Sequence, residues 1–188
     1  MTSFYTDEEL AEVGFTSLGR NVKLSRRTAI YGAGRISIGD NSRIDDFCVL
    51  SAGDDGISIG RHVHVAAMCL LFGRAKITLD DFSGLSGRVS VYSSSDDYSG
   101  QFMTNPTVPD ELTGVESHAV RIGKHVIVGA GSVILPGAVC NDGCAVGALS
   151  LVKGVLAENF LHSGTPARPI RERRTEMFDL EKKLLSHE

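Results

Sequence analysis

Arg121 to Lys153 reads RIGKHVIVGAGSVILPGAVCNDGCAVGALSLVK, and an aliphatic or small apolar residue returns in it at every sixth position: Ile122, Val128, Ile134, Cys140, Val146 and Val152. The fifth place of each hexad holds a small or short side chain, Val126, Ser132, Ala138, Cys144 and Ser150. An amphipathic helix needs apolar residues every three or four positions, and a half-buried strand needs them every two. A beat of six fits neither. It describes short flat strands, each sending one aliphatic side chain inward, in a solenoid whose turns stack.

The same beat runs outward through most of the chain. It passes Leu18, Leu24 and Ile30; Ile38, Ile44 and Leu50; Ile59, Val65 and Leu71; Leu79, Leu85 and Val91; and then the two trios of the opening stretch. Within a trio every step is six. Extra residues enter only after a third hexad, so three hexads make one triangular coil and insertions leave from a single corner. About six coils follow, and each coil satisfies the main-chain donors and acceptors of its neighbours.

Composition agrees. The 188 residues make one domain by size, and 21 Gly with 5 Pro and no Trp suit tight corners around a narrow interior. A net charge of −4 gives no clustered basic face for nucleic acid. No apolar run reaches the roughly 20 residues of a membrane span, and MTSFYTDEEL is too acidic for a signal peptide, so a cytoplasmic protein is expected. Cys48, Cys69, Cys140 and Cys144 form no C-x-x-C pair and read as reduced core thiols, with no metal expected.

The ends read as caps. Thr6 and Glu9 have capping-box spacing for a helix to about Glu12, with Gly14 as its stop. Ile170, Met177, Leu180 and Leu184 or Leu185 recur at roughly helical spacing. The chain thus divides into a helical cap at 1–17, a solenoid at 18–169 with a long loop at 92–118, and a C-terminal helix at 170–188.

The hexads, the run Gly129-Ala130-Gly131-Ser132 with its echo Gly147-Ala148-Leu149-Ser150, and the ending Ser163-Gly164-Thr165-Pro166-Ala167-Arg168-Pro169-Ile170-Arg171 resemble the hexapeptide-repeat acyltransferases. The sugar O-acetyltransferases similar to galactoside and maltose acetyltransferases look nearest. The resemblance spans Leu18 to Arg171 and implies an all-β solenoid of the left-handed parallel β-helix type, a homotrimer, and acetyl-coenzyme A as co-substrate. It places the pantetheine arm along Gly129, Ala130, Ser132, Gly147, Ala148 and Ser150, with Leu149 where Gly is usual. Lys153, Arg168 and Arg171 fall near the coenzyme phosphates, which guanidinium forks suit.

The galactoside-type relatives begin the long loop with a histidine that serves as general base; here that place falls at Ser95 or Asp96. Candidates for its role are His118 at the far root of the loop, the Asp96–Asp97 pair, and His64 on an outward hexad position. The expected function is direct acetyl transfer to a sugar hydroxyl in cell-surface polysaccharide or lipopolysaccharide assembly. The alternative is N-acetylation of a nucleotide-linked amino sugar, whose neutral amine needs no strong base. A zinc carbonic anhydrase would need three convergent histidines, and His62, His64, His118 and His125 lack that family's spacing. A non-catalytic scaffold would be favoured by failure to bind coenzyme A.

Overall fold

The computed structural model describes residues 3–186; the first two residues of the N-terminal cap and the last two of the C-terminal segment lie outside the described residues. Short strands stack into three parallel sheets, the faces of a triangular prism. In register, Ile38 lies over Leu18, Ile59 over Ile38, Leu79 over Ile59, Ile122 over Leu79 and Cys140 over Ile122. The second face stacks Leu24, Ile44, Val65, Leu85, Val128 and Val146. The third stacks Ile30, Leu50, Leu71, Val91, Ile134 and Val152. Each predicted beat residue therefore sits on its counterpart one coil away. Nearly all are fully buried, and main-chain bonds such as Gly39 N to Ile59 O at 2.8 Å join the coils.

The stack does not stop at six coils. Leu156 lies over Cys140 and His162 over Val146, which starts a seventh, incomplete turn. Leu156 and His162 keep the interval of six, but a histidine on an inward beat hides the repeat. His162 is 3 % exposed, its Nδ1 has no hydrogen-bond partner, and burial lowers its pKa.

The fold therefore favours the neutral imidazole, while the unfolded chain titrates near 6.5. Since the folded pKa is the lower one, stability is full above that range and is lost as pH falls through it. Tm should drop from pH 7.5 to 5.5, and His162→Leu should reduce that drop in a thermal melt. An unchanged pH dependence would exclude His162 as its source.

Corners hold larger residues than expected. Asn21, Asn41, His62, Phe82 and His125, at φ between 55° and 61°, occupy left-handed positions at the first corner; Phe47, Met68, Arg88 and Leu149 do so at the second. L-residues pay about 1 kcal/mol for this conformation, and stacking offsets part of it. His62 and Phe82 stack with centroids 4.7 Å apart, and Phe82 and His125 at 5.1 Å.

Both caps are formed. Helix α1 is Asp7–Glu12, with the capping box of Thr6 and Glu9 in place. Arg26 grips Glu9 at 2.5 and 2.6 Å, which with the Thr6 bond holds the Glu9 carboxyl down at about 2. Helix α2 is Glu176–Leu185, shorter than the segment starting at Ile170. Ile170 lies instead in the strand Ala167–Glu172, hairpinned onto Phe160–Gly164. The inward face of α2 also differs from expectation. Phe178 packs edge-on to His125 at 4.9 Å, and Glu181, 8 % exposed, meets Lys124 at 2.5 Å and His125 at 2.8 Å. Leu180 and Leu184 face solvent. A buried carboxylate with two basic partners on the first corner sets the helix's rotation, which apolar spacing alone could not reveal.

Arg173 closes the end of the prism: its Nη1 donates to the carbonyls of His125, Gly143 and Cys144 at 2.8, 3.0 and 3.1 Å. The four cysteines are buried free thiols. Among the described residues no His/Cys/Asp/Glu group could hold a metal ion, and no helix is long and apolar enough to cross a membrane.

Candidate active site

The long loop leaves the third corner after Val91 and returns before Val120. Its roots are tied by antiparallel pairing of Ser94 with Ser117 and Ser95 with Glu116, and an ion pair of 3.2 Å joins Arg74 to Asp110. Between the loop and the third face lies a cleft of about 700 Å³. Phe72 and Tyr92, adjacent in register, form its floor, and Tyr98 and Pro106 line it from the loop. Its charged lining is Arg74, Asp96 and Asp110.

The adjacent aspartates have separate fates. Asp97 accepts from Ser99 N at 3.0 Å, Ser99 Oγ at 2.7 Å, Gly100 N at 2.9 Å and Phe102 N at 3.3 Å. These bonds, Ser99's foremost, lower its pKa. Asp97 thus folds the loop tip, whereas Asp96 is an exposed lining residue of the cleft. The Asp-x-Ser-Gly order at Asp97 is a turn signal that the sequence offered.

His118, expected on the same cleft as the aspartates, does not line it. Its N–H donates to Ser93 O at 2.9 Å and its side chain is the nearest neighbour to the open side of Gly137. His64 lies on the second face, where its Nε2 is 2.8 Å from Asp45 Oδ2.

Six of the coenzyme candidates, Gly129, Ala130, Ser132, Gly147, Ala148 and Ser150, lie at the second corner of the last coils, whereas Lys153 follows the third-face strand Leu151–Val152 and Arg168 and Arg171 lie in the terminal hairpin. Gly129 packs so tightly that a Cβ would come 2.4 Å from Ala148 N, so only glycine fits that step. Ala130, Ala148 and Leu149 are exposed, Leu149 by 77 %. Ser132 and Ser150 face the other way. Both are buried, and both hydroxyls donate to Gly147 O, at 3.0 and 2.8 Å; they brace the corner from inside instead of presenting hydroxyls to a ligand. Lys153, Arg168 and Arg171 are exposed, with Arg168 paired across the hairpin to Ser163 and Arg171 to Leu161.

No family model matches the chain. The dTDP-4-amino-4,6-dideoxy-D-glucose acyltransferase of Escherichia coli is 48% identical over 178 residues, covering 94% of this chain and 93% of the relative. AntD, an N-acyltransferase from Bacillus cereus, matches over 100% of both chains at 42% identity and a TM-score of 0.96. That structure has one serine replaced and holds dTDP-4-amino-4,6-dideoxyglucose and coenzyme A. Another AntD structure, with one aspartate replaced, holds dTDP and coenzyme A at a TM-score of 0.95 and 42% identity, again over 100% of both chains. A maltose O-acetyltransferase from Clostridium difficile, at 20% identity and a TM-score of 0.60 over 89% of this chain and 75% of that one, shares the fold. With coil register and kinship agreeing over nearly the whole length, the chain belongs to the hexapeptide-repeat, left-handed parallel β-helix acyltransferases, and it is an acyltransferase that takes its acyl group from a coenzyme A thioester.

Proposed function

We propose that the protein N-acylates a nucleotide-linked amino sugar, in place of the sugar hydroxyl first expected. The observation that carries this reading is the cleft lining: aromatic faces for a base, Arg74 for phosphate, and the Asp96 carboxylate for an amine, with no histidine among its lining residues. An amine attacks a thioester through its own lone pair, whereas a hydroxyl must lose its proton to a base in the transition state. Two relatives similar along nearly the whole chain point the same way, since one is named for a dTDP-linked 4-amino sugar and the other is solved with one.

The replaced serine and aspartate of AntD stand ten positions apart. Ser86 and Asp96 have that spacing in the corresponding part of this chain, which supports both as site residues. Ser86 sits at the second corner and Asp96 on the third-corner loop, and the two come together if the loop of one copy lies against the next in a closed homotrimer. Acyl-coenzyme A and nucleotide sugars are cytosolic metabolites, so the cytoplasm is the proposed site of action.

Arg168 and Arg171 are assigned to the coenzyme phosphates. Replacing both with Ala should weaken acyl-coenzyme A binding about tenfold and leave Tm unchanged, because exposed arginines add little stability. Calorimetric titration with coenzyme A and its 3′-dephospho form checks this. Equal losses for both ligands would exclude a contact with the 3′-phosphate.

A further inference from the structure

Arg74 is the one basic residue lining the third-corner cleft among the described residues, and it is already engaged. Its Nη2 donates to Asp110 Oδ1 at 3.2 Å, so the guanidinium assigned above to a phosphate meets a carboxylate of the protein's own loop. Asp96 lines the cleft as well, which sets two carboxylates against one guanidinium. Such a balance disfavours the anionic part of a nucleotide sugar for as long as Asp110 keeps its partner.

The main chain around both partners is fixed. Gly53 lies so close to Arg74 that a Cβ on it would come 2.4 Å from Arg74 Cα. On either side of the arginine, Gly73 O accepts from Gly53 N at 3.1 Å and Ala75 O from Ser93 Oγ at 2.6 Å. Asp110 opens the short turn Asp110–Leu112, where its carbonyl accepts from Thr113 N at 3.1 Å and Thr113 Oγ1 at 3.0 Å, and Leu112 O accepts from Met103 N at 3.0 Å. The two side chains are far less constrained, with Arg74 53% and Asp110 78% exposed. An exposed pair of this kind contributes no more than about fivefold to an equilibrium, whereas phosphate oxygens can take a guanidinium fork through two parallel bonds. A phosphate in the cleft therefore wins the arginine, against an opposition set by Asp110.

We propose that Asp110 is a positioning residue that competes with the acceptor's phosphate for Arg74, so that the arginine changes partner each time a nucleotide sugar enters and leaves. This inference rests on the nucleotide-linked reading above. Before binding, Asp110 keeps the guanidinium turned toward the cleft; on binding, it yields the guanidinium to the phosphate; on release, it takes it back. The exchange matters because substrate and acylated product carry the same nucleotide handle. Contacts to that handle hold both equally and add nothing to the rate of the chemical step, and product departure limits turnover in many enzymes. A built-in competitor for the handle's anchor shortens the stay of the product.

The test titrates the full-length protein with dTDP and with thymidine in a calorimeter. Asp110→Asn should tighten dTDP binding about three- to fivefold and leave thymidine binding and Tm unchanged. Arg74→Gln should weaken dTDP binding by about tenfold, and adding Asp110→Asn to that variant should bring no gain. The double variant separates competition for the arginine from the mere loss of a negative charge, which would help dTDP in either background. In turnover with dTDP-4-amino-4,6-dideoxyglucose and acetyl-coenzyme A, Asp110→Asn should lower the acceptor KM and the inhibition constant of dTDP by the same factor without raising kcat. Unchanged or weaker dTDP binding by Asp110→Asn beside the expected Arg74→Gln loss, or a gain that survives Arg74→Gln, would overturn the competition alone. A wild-type protein that binds dTDP no better than thymidine would sink the nucleotide-linked reading itself, and the competition with it.

Discussion

Offered dTDP-4-amino-4,6-dideoxyglucose and its 4-hydroxy counterpart at equal concentration, the protein should acylate the amine with a kcat/KM about 10³-fold higher. The two acceptors have nearly the same shape, so the cleft of Phe72, Tyr92 and Tyr98 cannot tell them apart by fit. They differ in when the proton must leave. A hydroxyl becomes a competent nucleophile only as its proton is taken, and a positioned base contributes about 10²–10⁴ in rate to that step. A neutral amine forms its bond first and sheds the proton afterwards. Asp96 adds to the preference by placing a negative group where an amine gathers positive charge. Comparable rates for the two sugars, measured by thiol release with product mass checked, would refute the amine reading and restore the hydroxyl one.

Replacing Asp96 with Ala should cost about 100-fold in kcat/KM for the amino sugar, the scale of one lost hydrogen bond to a charged group. The same change at Asp97 should act differently. Its carboxylate already receives four bonds from the loop tip, so its loss should raise the acceptor KM by loosening the loop and make the segment around Tyr98 more sensitive to protease. Steady-state kinetics and limited proteolysis on the two variants separate these outcomes. If Asp97→Ala removes turnover while Asp96→Ala retains it, the assignment is reversed.

The two aspartates also mark how far the sequence could be read. Ile122, Val128 and Ile134 announce the coil because a narrow prism imposes one rule on each of its six complete turns: the inward residue on the beat is apolar, and only the partial seventh turn breaks it, with His162. No such rule governs the outside. The ladder from His62 through Phe82 to His125 joins residues separated by coil insertions of unequal length, so no sequence interval betrays it. The rotation of α2 escaped for a related reason, because Glu181 is buried through its bonds to Lys124 and His125 while Leu180 and Leu184 stay in solvent. Ser132 and Ser150 matched a binding motif by identity, yet their hydroxyls are already taken up by Gly147 O. Asp96 and Asp97 are chemically alike, and only the turn from Asp97 to Phe102 decides which carboxylate remains for a substrate. His64 was legible as an outward hexad residue, but Asp45 stands 19 positions earlier, a distance that has meaning only once the coil length is known.

The plug formed by Arg173 has a consequence for how the molecule breathes. Each coil is bonded only to its immediate neighbours, so opening cannot begin in the middle without breaking two sets of bonds, whereas an end coil breaks one. Amide hydrogens of the central strands, such as those of Leu71 and Leu85, should therefore exchange with solvent deuterium only in global unfolding, with protection decreasing toward both ends. Arg173 ties three carbonyls at the last coils with a single nitrogen. Arg173→Ala should therefore speed fraying at the end of the stack that also carries the corner of Ala130, Ala148 and Leu149 proposed for the coenzyme, which would place control over that corner's opening in a side chain lying outside it.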